Sequence, residues 1–187
     1  MHDFSATCYS YLIDKQGIIA KIPPGGDPPP RRTSMDAERI RAYILTLPHA
    51  VETMQWGANL VFWVGDKAIG GKMFALVSLD SDDGQERNKP RPVISYAAGP
   101  QRYSELLEIE GVIPAPYMAR IYWVAVESWN TFRTIEWEQE LNAAHTLTLN
   151  KLPPRTRAVL AMSPSQQKRL IADRRRLLAA KALAKAH

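Results

Sequence analysis

A chain of 187 residues with 45% hydrophobic side chains is long enough for one domain of ordinary size with a true core, plus tails. No apolar run approaches the ~20 residues of a membrane span, and the start of the chain has neither a basic cluster nor a long apolar stretch, so a cytoplasmic protein with no membrane partner is expected. The single cysteine, Cys8, excludes an internal disulfide and a multi-thiolate metal site, and the net charge of +5 is spread too unevenly for a uniformly cationic body.

Residues 1–34 end in IPPGGDPPPRRTS, where prolines without amide hydrogens and permissive glycines defeat both helix and sheet. This Pro-rich N-terminal extension is expected to be largely disordered. It is a spacer or, on the functional reading, a ligand for an aromatic groove. Apolar runs at Tyr9–Ile13 and Ile18–Ile19 allow a small hairpin within it, and Met35 is an alternative start that would make the preceding residues a mis-assigned extension.

From Ser34 the pattern changes. A hydroxyl cap precedes Asp36 and Glu38, and Ile40, Tyr43, Ile44 and Leu47 recur at helical spacing up to a stop near Pro48. Val51–Trp56, Leu60–Val64 and Lys72–Leu79 read as strands joined by short Gly-bearing turns, which implies antiparallel pairing. A polar loop, 79–91, precedes another strand at Val93–Ala97. Tyr103, Leu106 and Leu107 give a short second helix, followed by a rigid turn around Gly111, Pro114 and Pro116. Ile121–Val126 is apolar on both faces and is expected to be a central strand. A third helix runs from about Glu136 to Leu152, with Trp137, Leu141 and Ala144 on one stripe. The order α-β-β-β-β-α-β-α is that of an α+β protein: a two-layer antiparallel sheet with helices packed on one face.

Pro153 and Pro154 interrupt the chain before a short helix, Arg155–Met162, and Ser163–Pro164 opens a last one in cap-then-proline order. Its basic residues fall all round and its leucines form no single stripe, so this C-terminal helical arm, 163–187, is expected to project into solvent or dock weakly. Residues 34–150 hold 10 basic and 15 acidic side chains, whereas 151–187 hold 10 basic and 1 acidic. An anionic body repels a phosphate backbone, so affinity for nucleic acid has to come from the arm or from a local patch.

GDKAIGGKM, residues 65–73, lacks the lysine spacing and the hydroxyl residue of a phosphate-binding loop and leads into a strand, which favours a hairpin turn. His49, Glu52 and His145 supply no paired metal ligands on one element, and His145 falls on the apolar side of its helix, where a packed histidine with one hydrogen bond is the usual occupant. No Gly-x-Ser-x-Gly elbow or triad order is present, so neither catalysis nor a cofactor is expected. The five tryptophans, Trp56, Trp63, Trp123, Trp129 and Trp137, all fall on elements expected to be buried, so core packing is favoured over base stacking.

Residues 47–79 resemble the MmcQ/YjbR family. The likeness rests on a Leu-Pro helix stop at Leu47–Pro48, an acidic residue before Trp-Gly (Glu52, Trp56, Gly57) and a Lys-x-Phe strand (Lys72, Phe74). The block PAPYMARIYW, with Tyr117 and Trp123 at the family's spacing, extends it, and the likeness covers about residues 35–157. It implies a CyaY-like or secretion-chaperone-like two-layer fold over 35–162 and, by analogy to a double-wing motif, DNA binding. Basic residues available for such a face are Lys67, Lys72, Arg102, Arg120, Lys151, Arg155 and Arg157. The hairpins would act as wings that bring Lys67 and Lys72 toward phosphate, with Arg155 and Arg157 extending the patch. The expected function is DNA binding by phosphate contacts in a monomer. The alternative is an adaptor or chaperone-like module that takes a protein partner on the exposed sheet face.

Overall fold

The computed structural model describes residues 10–13, 19–22, 35–79 and 92–186. The chain divides into two units, Met1–Thr33 and Ser34–His187. In the first, β1 (Ser10–Ile13) and β2 (Ile19–Ile22) form an antiparallel hairpin with Ser10 opposite Ile22. The proline run and the polar loop expected at 79–91 lie outside the described residues, apart from Leu79.

The second unit begins with α1 (Ala37–Thr46). Its cap is Asp36, whose carboxylate accepts from the Arg39 amide at 2.8 Å, rather than Ser34 two residues earlier. Leu47–Pro48 then stops the helix, as expected. Strands β3 (Ala50–Gln55), β4 (Asn59–Val64), β5 (Lys72–Ser78) and β6 (Ile94–Ala97) follow, then α2 (Gly99–Leu106), β7 (Val112–Pro114), β8 (Trp123–Val126) and α3 (Thr134–Asn150). They form a six-stranded antiparallel sheet in the order β3-β4-β5-β6-β8-β7. The α+β class and the element order therefore stand, with two corrections. The turn expected around Gly111 and Pro114 contains β7, an edge strand that a proline tolerates. The strand expected from Ile121 starts at Trp123, because Ala119–Ile121 is a 3-10 turn closed by Tyr122 at φ 60°.

Register assigns the two faces. Leu60, Phe62, Val64, Ala75, Val77, Ile94, Tyr96, Val124 and Val126 point toward α1, α2 and α3 and, with Ile40, Ile44, Trp137, Leu141 and Ala144, make the core. The register shifts between Phe62 and Trp63, and the extra residue, Phe74, packs edge-on at 5.3 Å against His145 of α3. Burying side chains of this kind contributes roughly 1.5–3 kcal/mol each, so this layer carries most of the stability. Thr53, Asn59, Val61, Trp63, Leu76, Ser78 and Ser95 lie on the other face. After Pro153, α4 (Pro154–Leu160) and α5 (Pro164–Ala186) complete the chain.

Candidate nucleic-acid interface

The connection from β4 to β5 is built by close backbone approach. Asp66 caps a 3-10 turn, Lys67–Ile69, by accepting from the Ala68 amide at 2.8 Å, and Gly70 closes it at φ 90°. A Cβ on Gly71 would stand 1.9 Å from the Gly65 carbonyl oxygen, so only glycine fits there. The glycines of GDKAIGGKM thus serve a turn between antiparallel strands. Thr156 of α4, fully buried, donates to the Ile69 carbonyl at 2.9 Å and fixes α4 against the turn.

That packing creates a groove of about 320 Å³ whose lining includes Lys67 and Gly70 of the turn, Arg155 of α4, and Leu170 and Arg174 of α5. Lys67, Arg155 and Arg174 are exposed, and none forms an ion pair among the described residues. Lys67 is steered by a weak contact to Gln55 Oε1 at 3.5 Å and by the Trp63 ring, 5.1 Å below its Nζ. The ring is itself held by Trp63 Nε1 donating to Thr53 Oγ1 at 2.8 Å.

The last helix docks shallowly rather than standing free. The Arg175 guanidinium pairs with the buried carboxylate of Asp66, and Gln167 donates to the Leu160 and Met162 carbonyls at 2.9 and 2.8 Å. Arg175 thus neutralises the one acid of the turn and leaves neighbouring Arg174 to the groove. Sequence reasoning missed Arg174. The basic residues surround α5, and only the position of Asp66 selects which of them face the turn.

The other cations singled out from the sequence have different surroundings. Lys72, at the same sheet end, donates through Nζ to the Lys151 carbonyl at 2.9 Å and so caps the negative end of α3. Lys151 itself is exposed there. Arg157 faces a different depression, lined by Pro48, His49 and Leu149. Arg102 is taken by two carboxylates, Glu105 at 3.3 Å and Glu140. Arg120 lies exposed on the 3-10 turn before β8, remote from the groove in the sheet order. The structure therefore gathers Lys67 and Arg155, adds Arg174, and leaves Arg102 and Arg120 apart.

His145 behaves as a packed histidine. It is buried, its Nε2–H donates to the Pro48 carbonyl at 2.8 Å, and burial is the main cause holding its pKa below the usual value. His49 is exposed at φ 59°.

Core packing holds for Trp123 and Trp137, and Trp137 Nε1 donates to the Trp129 carbonyl at 3.0 Å. Trp63 and Trp56 are the corrections: Trp63 is half-buried beneath Lys67 on the sheet face away from the core. Trp56 is 65% exposed, at the β3–β4 turn, with φ 52°. On the sheet face away from α1, α2 and α3, Tyr117 is fully exposed at φ 64°. Between them runs a cleft of about 780 Å³, floored by Asn59, Leu76, Ser78 and Ser95 and walled by Pro116 and Met118.

The YjbR family model matches residues 45–147, more than half of the chain. The chain belongs to the YjbR family. A crystal structure of Deinococcus radiodurans protein DR2400, a DUF419 domain, shares the fold with a TM-score of 0.53 at 21% identity, over 73% of this chain and 88% of that one. Nothing among the curated proteins matches. The YjbR match includes Lys67, Trp56 and Tyr117 but ends before α4, so the groove joins a YjbR turn to helices beyond the matched span.

Proposed function

We propose that this YjbR protein binds DNA through phosphate contacts, using the groove where the β4–β5 turn meets α4 and α5, and that it performs no catalysis. The observation that carries the reading is the convergence of Lys67, Arg155 and Arg174 on one groove with no carboxylate partner among the described residues. Three cations held together without compensation repel one another, and a polyanion relieves that repulsion. Lys181, seven residues beyond Arg174 on α5, is exposed on the same side of the helix and lengthens the positive track, whereas Arg176 pairs with Asp173 at 4.0 Å. Such contacts position a backbone and carry little sequence information.

The acids near the groove are each held by another arginine, Asp66 by Arg175 and Asp173 by Arg176. Glu136, Glu138 and Glu140 belong to α3, where Glu140 holds Arg102 and Glu136 holds Arg133. Among the described residues no helix is long and apolar enough to cross a membrane.

Fluorescence anisotropy of a labelled duplex titrated with the full chain tests this. With about six phosphate contacts the logarithm of affinity falls against the logarithm of salt with a slope near −5. The triple variant Lys67→Ala, Arg155→Ala, Arg174→Ala reduces the slope to about −2.5. Salt-independent binding, or a variant with an unchanged slope, rejects the groove.

A further inference from the structure

We infer that the cleft between Trp56 and Tyr117 is a second nucleic-acid site, which takes the base of an unpaired nucleotide by stacking. The inference rests on the DNA reading above and specifies what the same protein does with a strand that is not duplex.

Both aromatics are placed at a cost that brings the fold no packing. A bulky residue at positive φ is a backbone outlier, and Trp56 and Tyr117 both adopt it while leaving their rings in solvent. Neither ring packs on another aromatic ring among the described residues. A cleft of about 780 Å³ lies between them, within the range of sites that take small planar ligands. The cleft adds polar groups at its floor. Ser95 of β6 is 4% exposed, and two strands away the Asn59 amide of β4 donates to the Trp56 carbonyl at 2.7 Å.

Two observations favour a base over a peptide. The floor belongs to β4, β5 and β6, interior strands whose backbone groups are consumed by their ladders. An extended peptide laid there would find no strand edge to pair with, whereas a base needs only a π-face and a few side-chain groups at its rim. The second is charge. No carboxylate is among the described residues that line the cleft, and the chain passes from Met118 in its wall to the exposed Arg120 two residues on. The basic groove starts at the other end of β4, roughly 20 Å away for a six-residue strand, within reach of a few nucleotides. Aromatic platforms beside a cationic track are the general form of single-strand binding.

The experiment compares a labelled oligo(dT) with a duplex of the same length on the full chain. Trp56→Ala and Tyr117→Ala each weaken oligo(dT) binding about tenfold while duplex affinity changes less than twofold. Trp56→Phe keeps near-wild-type affinity but loses the tryptophan quenching that oligo(dT) causes in the wild type. Equal losses on both probes, or none on either, overturn the inference. So does quenching of Trp56 by a proline-rich peptide and not by oligo(dT), which would make the cleft a protein site. Failure of the groove reading looks different: duplex binding is absent or salt-independent while the Trp56-dependent oligo(dT) signal persists.

Discussion

The two ends of β4 carry turns of opposite construction. At the β4–β5 end every feature is a close contact: Gly71 under the Gly65 carbonyl, Thr156 on Ile69, and Asp66 between the Ala68 amide and Arg175. At the β3–β4 end the chain turns in the open, with Trp56 and Gly57 both at positive φ and nothing within 4 Å of the place a Cβ on Gly57 would occupy. One turn is fixed by what surrounds it and therefore holds its cations in place. The other is strained and unsupported, and it presents an aromatic ring. A rigid electrostatic site and an exposed stacking surface thus require different local physics, and one strand joins them.

Breaking the first turn has the largest expected effect. Gly71→Ala drives a Cβ into backbone that cannot retreat, so chemical denaturation should show a loss of about 3 kcal/mol, with weaker duplex binding as the turn shifts away from Arg155. Gly57→Ala has open space around it and meets only the backbone cost of positive φ, about 1 kcal/mol. If the two variants lose equal stability, the contrast between the turns is wrong. Trp56→Asn sharpens the comparison by reversing the sign. Asparagine tolerates the left-handed region, so stability should rise by about 1 kcal/mol while oligo(dT) affinity falls. A fall in both would make Trp56 a structural residue.

The same contrast explains what could be read from the amino-acid order. Elements defined by their own periodicity were legible: the Trp137, Leu141, Ala144 stripe of α3, the alternating strands, and His145 as a packed residue. β7 was not, because three residues ending in Pro114 become a strand only by pairing with β8. At the start of α1, Ser34 and Asp36 are both good caps two residues apart, and local sequence does not choose between them. The candidate site was about half visible. The sequence points to Lys67 and Arg155, but Arg174 depends on an azimuth of α5 set by Asp66, more than a hundred residues away. Trp56 was misjudged because tryptophan is usually buried, and a positive φ at that position leaves no mark in the sequence.

Inside the helix layer a smaller effect is expected at Tyr96. Its ring is wholly buried between β6 and the helices, and its hydroxyl has no partner among the described residues. Burial is the main reason its pKa is raised, reinforced by the nearby Glu140 and opposed by Arg102. An unpaired buried hydroxyl stabilises nothing, so Tyr96→Phe should be neutral or more stable by up to about 1 kcal/mol in urea denaturation. A loss greater than that would mean that the hydroxyl is hydrogen-bonded, for instance to a trapped water.

The least disruptive probe of this layer is pH. Burial lowers the pKa of His145, the Pro48 carbonyl opposes the shift, and neighbouring His49 adds to it, so the folded protein takes up this proton less readily than the unfolded chain. The unfolded imidazole titrates near 6.5. Below that value the unfolded state binds more protons, and linkage makes stability fall with falling pH until the folded pKa is reached; above it the contribution is complete and constant. The urea midpoint of the wild type should therefore be lower at about pH 5 than at about pH 7.5. His145→Gln keeps an amide donor for the Pro48 carbonyl and removes the titration, so its midpoint should be flatter over this interval whatever its absolute stability. Parallel pH profiles for wild type and variant would place His145 in contact with solvent, outside the pocket against Phe74.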